Sequence, residues 1–402
     1  MKVVVIGAGA SGLIAAATAQ KNGHDVIIIE KKNKAGIKLS ITGKGRCNVT
    51  NNCDVQTLLD NTVSNSRFLY SCFNNFSSKD TLELFNSLNV ELKTERGNRV
   101  FPVSDNAKDI VNALVKYNCL NQIIYNTSVK SLIIDNNSIK GVKLDNNQII
   151  DCDAVIVCTG GKSYPNTGSS GDGYLLAKQA GHSITELLPS LVPIVCKETF
   201  CKDLMGLSLK NIRVTFKQGE KTVYSEQGEM LFTHFGVSGP LILSGSAHVN
   251  DISACKIIID LKPALSNEEL DSRLIRDFNK YSNKDFCNAL NDLLPQKLIN
   301  VFIKLTGINP HLKVNQITKE NRIIIVDLLK NFELNAKSFR PIDEAIITRG
   351  GVNTKEINPK TMQSKLCKGL FFAGEVLDVD AYTGGFNLQI AFSTGYAAGN
   401  NI

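Results

Sequence analysis

Gly7, Gly9, Gly12 and Glu30 are the residues whose types and spacing carry the first chemistry of this 402-residue chain. G-x-G-x-x-G followed by an acid is a dinucleotide cradle. The first glycine permits a tight turn, and the second lets a pyrophosphate approach the backbone. The third lets a helix pack on a strand, and the carboxylate accepts hydrogen bonds from a ribose. Glycines at this spacing also arise by chance, so the flanking elements decide. Val3–Ile6 form a continuous apolar, β-branched run, Ser11 to about Lys21 reads as a helix, and VIIIE ends a second run on Glu30. Strand, glycines, helix, strand and acid make one βαβ unit. Its helix would turn its N-terminal N–H groups and positive dipole end toward phosphates.

The elements that hold this cradle must belong to a larger body. The length predicts two or three domains. A hydrophobic content of 43% and a charged content of 21% are those of a soluble globular protein. No apolar run reaches the roughly 18–20 residues of a membrane span. The opening MKVVVIGAG enters a strand directly, leaving no room for a signal peptide, so a cytoplasmic location is expected. The net charge of +7 is carried by scattered lysines, which suits a solvated surface and an anionic cofactor better than a nucleic-acid surface. Eleven cysteines without any C-x-x-C argue against a redox dithiol or a zinc ribbon. The five histidines show no ligand spacing, so no metal is expected.

Residues 54–95 look mainly helical, and 99–118 read as a turn and then a helix capped by Ser104. Strands are expected over 123–134 and 139–144, joined by a hairpin at Asp135-Asn136-Asn137. Residues 153–161, DAVIVCTGG, are another continuous apolar strand ending in glycines, as in a sheet buried on both faces. Short strands dominate from Leu191 to about Asp260, and helical patterns follow to about Phe332. Strand signals return at 345–352 and 369–375, and a helix closes the chain from about Asn387. The expected class is α/β. A dinucleotide-binding domain spans 1–190 and 341–402, interrupted by a β-rich domain at 191–264 and a helical domain at 265–340.

VIVCTGG and the C-terminal strand, Gly374-Glu375 pair and closing helix resemble the glutathione-reductase-type Rossmann-like FAD domain. The loop KLSITGKGRCNVTNN (38–52), CTGGKSYPNTGSSGDGY (158–174), LFTHFGVSGP (231–240) and TRGGV (348–352) through AGEVLDVDAYTGGFNLQIAFSTG (373–395) make the resemblance closer. They are similar to the BaiN-like (YhiN-like) flavoproteins, a family of FAD-dependent, NAD(P)-linked oxidoreductases that also resembles aminoacetone oxidases. That resemblance implies an FAD cofactor. It assigns Gly7, Gly9, Ala10, Ser11 and Gly12 to the pyrophosphate, and Glu30 and Lys31 to the adenosine ribose. Val129 would meet adenine through its backbone, and Thr159, Gly160 and Gly161 would pass the adenosine side. Thr42, Gly43, Gly45, Arg46, Cys47 and Asn48 would wrap the ribityl chain and flavin edge. Gly374, Glu375, Gly385, Asn387, Leu388 and Gln389 would meet the ribityl chain and ring.

Some of these residues have a second reading. Arg46 could be a surface cation, although glycines, amides and an anionic ligand favour cofactor contact. Cys47 reads as a small packed residue rather than a redox thiol, because it lacks a partner cysteine. His234, between Phe232 and Phe235, is either a loop histidine or a substrate-site group. Tyr164 and Tyr382 lie in glycine-rich loops where a ring could cover a substrate or simply decorate a turn. The catalytic acid or base is therefore unassigned among Tyr164, His234 and Tyr382.

The implied function is hydride transfer between flavin N5 and a small organic substrate or NAD(P)H. A reductase fed by NAD(P)H and an amine oxidase using O₂ both fit. No second G-x-G-x-x-G in strand–helix context is present, so no dedicated nicotinamide domain is visible. An RNA-modifying or RNA-binding flavoprotein is the alternative of another class. It requires a basic, aromatic-lined surface, and the scattered lysines and absence of Trp count against it. A small-molecule substrate is the expected partner, with no membrane; monomer and homodimer both remain open.

Overall fold

Val3, Val4 and Val5 are fully buried along the opening strand β1 (Lys2–Ile6). In the computed structural model, which describes all 402 residues, Met1–Ile402, β1 is the middle of a five-stranded parallel sheet. The strand order is Leu370–Phe372, Ala154–Val157, β1, β2 (Asp25–Ile29) and Gln122–Ile124. Continuous apolar runs make such strands because both faces of a parallel sheet are covered. Helix α1 (Ala10–Lys21) leads from β1 to β2, and the closing helix Phe386–Asn400 packs on α1. Glycine makes that packing close. A Cβ at Gly395 would lie 2.4 Å from the Ser11 carbonyl oxygen, and one at Gly399 2.3 Å from that of Ala15.

The chain divides into two units: Met1–Ser190 with Pro341–Ile402, and Leu191–Arg340. The first adds two three-stranded antiparallel sheets to the parallel one. Thr50–Asn51, Arg99–Pro102 and Leu92–Glu95 form one sheet; Val129–Asp135, Ser138–Leu144 and Ile149–Asp151 form the other. The run expected as one strand over 123–134 is therefore split. Its start joins the parallel sheet and its end opens a meander, with Asn136 and Asn137 at φ +46° and +54° in the hairpin turn. The helix Ala107–Tyr117 is capped by Asn106, not Ser104, because the Asn106 side chain accepts the Lys108 N–H at 3.1 Å.

The second unit is a closed six-stranded barrel. Its order is Ile194–Cys196, Gly236–Ser238, Lys221–Thr233, Ser208–Gln218, Cys255–Asp260 and Phe332–Phe339. Helices Asn267–Lys280, Gln296–Thr306 and Lys319–Lys330 are inserted before the last strand; Ser266 caps the first in a box with Glu269. Residues 332–339, assigned to a helical domain on sequence, instead close the barrel. Phe332, Leu334 and Ala336 point inward at period two, a short pattern hidden behind the apolar helix that precedes it. Barrel and helices share one core: Phe216 and Phe232 belong to the same buried cluster as Leu274, Phe302 and Ile325. No helix is long and apolar enough to cross a membrane.

Candidate functional site: a dinucleotide cleft at the carboxyl ends of the parallel strands

The carboxyl ends of β1, β2 and strand Ala154–Val157 open onto a solvent-open cleft of about 1340 Å³, the solvent at its mouth included. This is where open α/β sheets bind ligands. The three motif glycines have different physical reasons to be there. Gly7 sits at φ +104°, and a Cβ on it would lie 2.6 Å from the Cys158 carbonyl oxygen. A Cβ on Gly12 would lie 1.9 Å from the Gly7 oxygen. Gly9 has an ordinary extended backbone, φ −88° and ψ −169°, and a Cβ there would meet no protein atom within 4 Å. The protein needs Gly7 and Gly12 for its own packing. Gly9 leaves space that the protein does not fill.

The Glu30 carboxylate is aimed by the cradle itself: Ala8 N–H donates to Oε2 at 2.9 Å and Lys32 N–H to Oε1 at 2.8 Å. Lys31 pairs with Asp172 at 2.7 Å and donates to Ser170. Val129, Thr159 and Gly160 line the same cleft, and Thr159 Oγ1 is buried without a protein partner. At the other end, Glu375 accepts from Thr348 N–H at 2.9 Å and Ser163 Oγ at 3.1 Å, and pairs with Lys38 at 2.6 Å. Gly161 and Gly374 are not in the cleft lining but pack tightly against residues that are. A Cβ on Gly161 would lie 2.7 Å from Glu375 Oε1, and one on Gly374 2.6 Å from Ser11 Oγ. Gly385, at φ +100°, precedes the closing helix, where a Cβ would lie 2.3 Å from the Thr50 oxygen.

Neither α1 nor the closing helix carries a side-chain cap, because Gly9 and Gly385 are their N-caps. Ala10 and Ser11 from one helix, and Asn387 and Leu388 from the other, line the cleft. Two positive helix ends therefore face one space, an environment for an anionic ligand. The unfilled space at Gly9, the orphaned Thr159 hydroxyl and this donor set fit a dinucleotide with a pyrophosphate.

Other residues expected at the cofactor are placed elsewhere. Of the 42–48 loop, only Thr42 lines the cleft. Gly43 and Gly45 are exposed and supply left-handed turns at φ +57° and +85°. Arg46 is a surface cation after all. It donates to Asp105 at 2.6 Å, pairs with Glu95, and lies 4.1 Å over the Phe101 ring. Cys47 is fully buried, and burial pushes its thiol up to about 12, so it is not a redox thiolate. Asn48 Oδ1 is buried and unpartnered but outside the cleft lining. Gln389 is a correction of larger consequence. It is fully buried, its Oε1 accepts from Thr50 and Thr81 hydroxyls at 2.7 and 2.8 Å, and its Nε2 donates to Phe76 O and Ser393 Oγ. With all four capacities used, its side chain holds the closing helix and has none left for a flavin. Asn387 lines the cleft, yet its amide grips the preceding loop, accepting from Ala381 N–H at 2.9 Å and donating to its carbonyl at 2.7 Å.

Among the candidate acid–base residues, Tyr164 is outside the cleft lining, and His234 is exposed in the barrel unit with its ring edge on Phe235. Tyr382, likewise outside the cleft lining, is half-buried on the loop gripped by Asn387, whose Nδ2 also donates to the Tyr382 carbonyl at 3.2 Å. Lys38, Ser163 and Thr348 were missed by sequence reading. Lys38 opens the KLSITGKGRCN stretch, but nothing in the chain order points it at Glu375.

A Ser–His–acid constellation lies outside the cleft. His182 Nε2 is 2.7 Å from Ser364 Oγ, and Nδ1 is 3.0 Å from Glu356 Oε2. It is a structural lock rather than a nucleophile. Both Ser364 lone pairs accept backbone N–H groups, of Leu366 at 3.0 Å and Cys367 at 2.9 Å, so its proton goes to a neutral imidazole. Burial lowers the His182 pKa despite Glu356. The unfolded chain then takes up the proton first, so this contribution is complete above about pH 6.5 and is lost as pH falls below it. Thermal melts should therefore show Tm falling from pH 7 to 5. A His182→Gln variant should flatten that slope, and an unchanged slope would remove His182 as its source.

A parallel Rossmann-type sheet with one carboxylate after β2 and another after the last strand defines the FAD-binding class of the fold. The chain belongs to the HI0933-like family, whose model, described as HI0933-like protein Rossmann domain, matches residues 1–401. It is 32% identical over 405 residues to a ribosomal RNA dihydrouridine synthase of Haemophilus influenzae, covering 99% of this chain and 98% of that protein. It is 29% identical over 404 residues to a 3-dehydro-bile acid delta(4,6)-reductase of Clostridium scindens, covering 99% and 98%. A flavocytochrome c3 fumarate reductase shares the fold, with a TM-score of 0.54 at 17% identity over all of this chain and 77% of that one. The protein is an oxidoreductase of the FAD-dependent type.

Proposed function

We propose that the protein reduces a carbon–carbon double bond conjugated to a carbonyl group, using FAD. The observation that carries this reading is a cleft that fits a dinucleotide in a chain with full-length relatives whose names share one bond chemistry. A 3-dehydro-bile acid delta(4,6)-reductase saturates a double bond conjugated to a ketone, and dihydrouridine is uridine saturated beside a ring carbonyl.

FAD, when bound, supplies hydride exchange at N5. The chain supplies binding and orientation. The α1 N-terminus and Gly9 would take the pyrophosphate, Glu30 the adenosine ribose, and Glu375 the ribityl chain. The N-terminus of the closing helix would favour negative charge on the flavin's pyrimidine end. Saturating the bond also needs a proton. Tyr382 is the candidate donor, because its loop runs from cleft-lining Val379 to cleft-lining Asn387. Tyr382→Phe should slow substrate reduction at least about tenfold, a modest general-acid effect. The rate of flavin reduction should stay unchanged; equal slowing of both half-reactions would remove Tyr382 as the donor.

A ribosomal RNA uracil is the second reading of the same chemistry, favoured by the 32% identical relative. The test is anaerobic. The FAD-loaded protein is reduced with NADH, NADPH, a primary amine or dithionite, then mixed with a steroid dienone, with ribosomal RNA or with O₂. Flavin reoxidation by the dienone supports the small-molecule reading, and reoxidation by RNA supports the second. Fast reoxidation by O₂ alone, with amine as the best reductant, would instead mark an amine oxidase. Bleaching by NADH or NADPH would identify the reductant.

A further inference from the structure

Lys38 brings a charge to the cleft wall from outside every glycine motif. Its Nζ lies 2.6 Å from Glu375 Oε2 and 2.7 Å from Ser163 Oγ. The Lys38 and Glu375 side chains are only 23% and 14% exposed, and Ser163 is fully buried. Thr348 N–H and Ser163 Oγ hold the other carboxylate oxygen, so four separate stretches of chain meet at one ion pair. The cluster closes only around a glycine, since a Cβ on Gly161 would lie 2.5 Å from Thr348 Oγ1 and 2.7 Å from Glu375 Oε1.

The two acids mark the two ends of the cleft. Glu30 follows β2, and Glu375 follows strand Leu370–Phe372, on the other side of β1. An uncompensated carboxylate at the Glu375 end would repel the pyrophosphate and oppose electrons added to the ring. In a partly dry wall such a charge is screened far less than in water.

We propose that Lys38 is a positioning and charge-balancing residue for the cofactor: by cancelling and orienting Glu375 it sets the affinity for FAD and the potential at which FAD is reduced. This inference rests on the FAD reading of the cleft. It assigns the cation to the ring end, whereas Lys31, paired with Asp172, serves the adenosine end.

The test uses the full chain as parent, K38M, K38R and K38M/E375Q. FAD affinity is read by fluorescence titration and potential by anaerobic equilibration with a reference dye. K38M should bind FAD about tenfold more weakly. Its reduced-to-oxidised ratio at fixed dye potential should fall about tenfold, or about 30 mV for a two-electron couple. K38R should stay within about twofold of the parent in both, as the charge is kept. K38M/E375Q should return the potential toward the parent, because the carboxylate charge leaves with its partner. Equal shifts in K38M and K38M/E375Q, or an unshifted potential in folded K38M, would overturn the proposal. If K38M does not fold, E375Q alone decides: unopposed Lys38 should raise the reduced fraction, and a lowered one overturns the proposal. A parent that takes up no FAD overturns the cofactor reading as well.

Discussion

A Gly9→Val variant is expected to fold and melt like the parent chain while losing at least about 100-fold in FAD affinity, close to 3 kcal/mol. The reason is that a Cβ at Gly9 meets no protein atom within 4 Å and the backbone there is one any residue adopts. The added side chain therefore costs the fold little and occupies the space left for the pyrophosphate. Gly12→Ala is the contrasting control. Its Cβ would lie 1.9 Å from the Gly7 oxygen, so α1 must shift away from the strand. Overpacking of this kind typically costs about 1–3 kcal/mol, and here it falls on the cradle itself. Thermal melts and FAD titration on the two variants separate the cases. Retained FAD binding in Gly9→Val would show that the cofactor does not use the cradle.

Gln389→Ala should do the opposite, lowering stability by about 3 kcal/mol with FAD affinity of the folded fraction close to the parent's. The substitution leaves two buried threonine hydroxyls, the Phe76 carbonyl and Ser393 to find new partners. A buried group left unpaired costs about 1–3 kcal/mol, and some of these four have second partners. Thr50 lies 3.3 Å from Ser78 Oγ, and Ser393 already donates to Phe76 O at 2.6 Å. In a unit of this size the loss corresponds to a Tm lower by about 6–12 °C. An unchanged Tm with FAD lost would return Gln389 to the cofactor site.

These two residues also show how far sequence reading reaches. The open space at Gly9 was legible because the turn that makes it is local. The strand, turn and helix that define it are consecutive, and glycine at that position in that turn has few physical reasons to exist. The same holds for Gly7, Gly12 and Glu30, whose carboxylate is aimed by N–H groups of Ala8 and Lys32. Gln389 and Arg46 sit inside motifs as specific as any in the chain, yet their side chains turn away from the cleft. One is consumed by a buried network and the other by two carboxylates and an aromatic ring. A motif marks where a backbone segment goes; which way a long polar side chain turns depends on partners brought in from other segments.

The closing barrel strand Phe332–Phe339 makes the same point at the level of the fold. Its alternation is written in the residues, but only ladder bonds to Cys255–Asp260 and Ile194–Cys196 distinguish it from the tail of a helix. By itself the sequence determined the glycine turn between β1 and α1 and the continuous apolar strands, because periodicity and glycine spacing act between near neighbours; the FAD expectation came from the resemblance of longer motifs to a known family. Only the tertiary structure decided that Lys38 meets Glu375 across 337 residues, that Gln389 is a strut and that Arg46 is spent at the surface. Charge pairing and burial act through space, and the order of residues along the chain does not encode those distances directly.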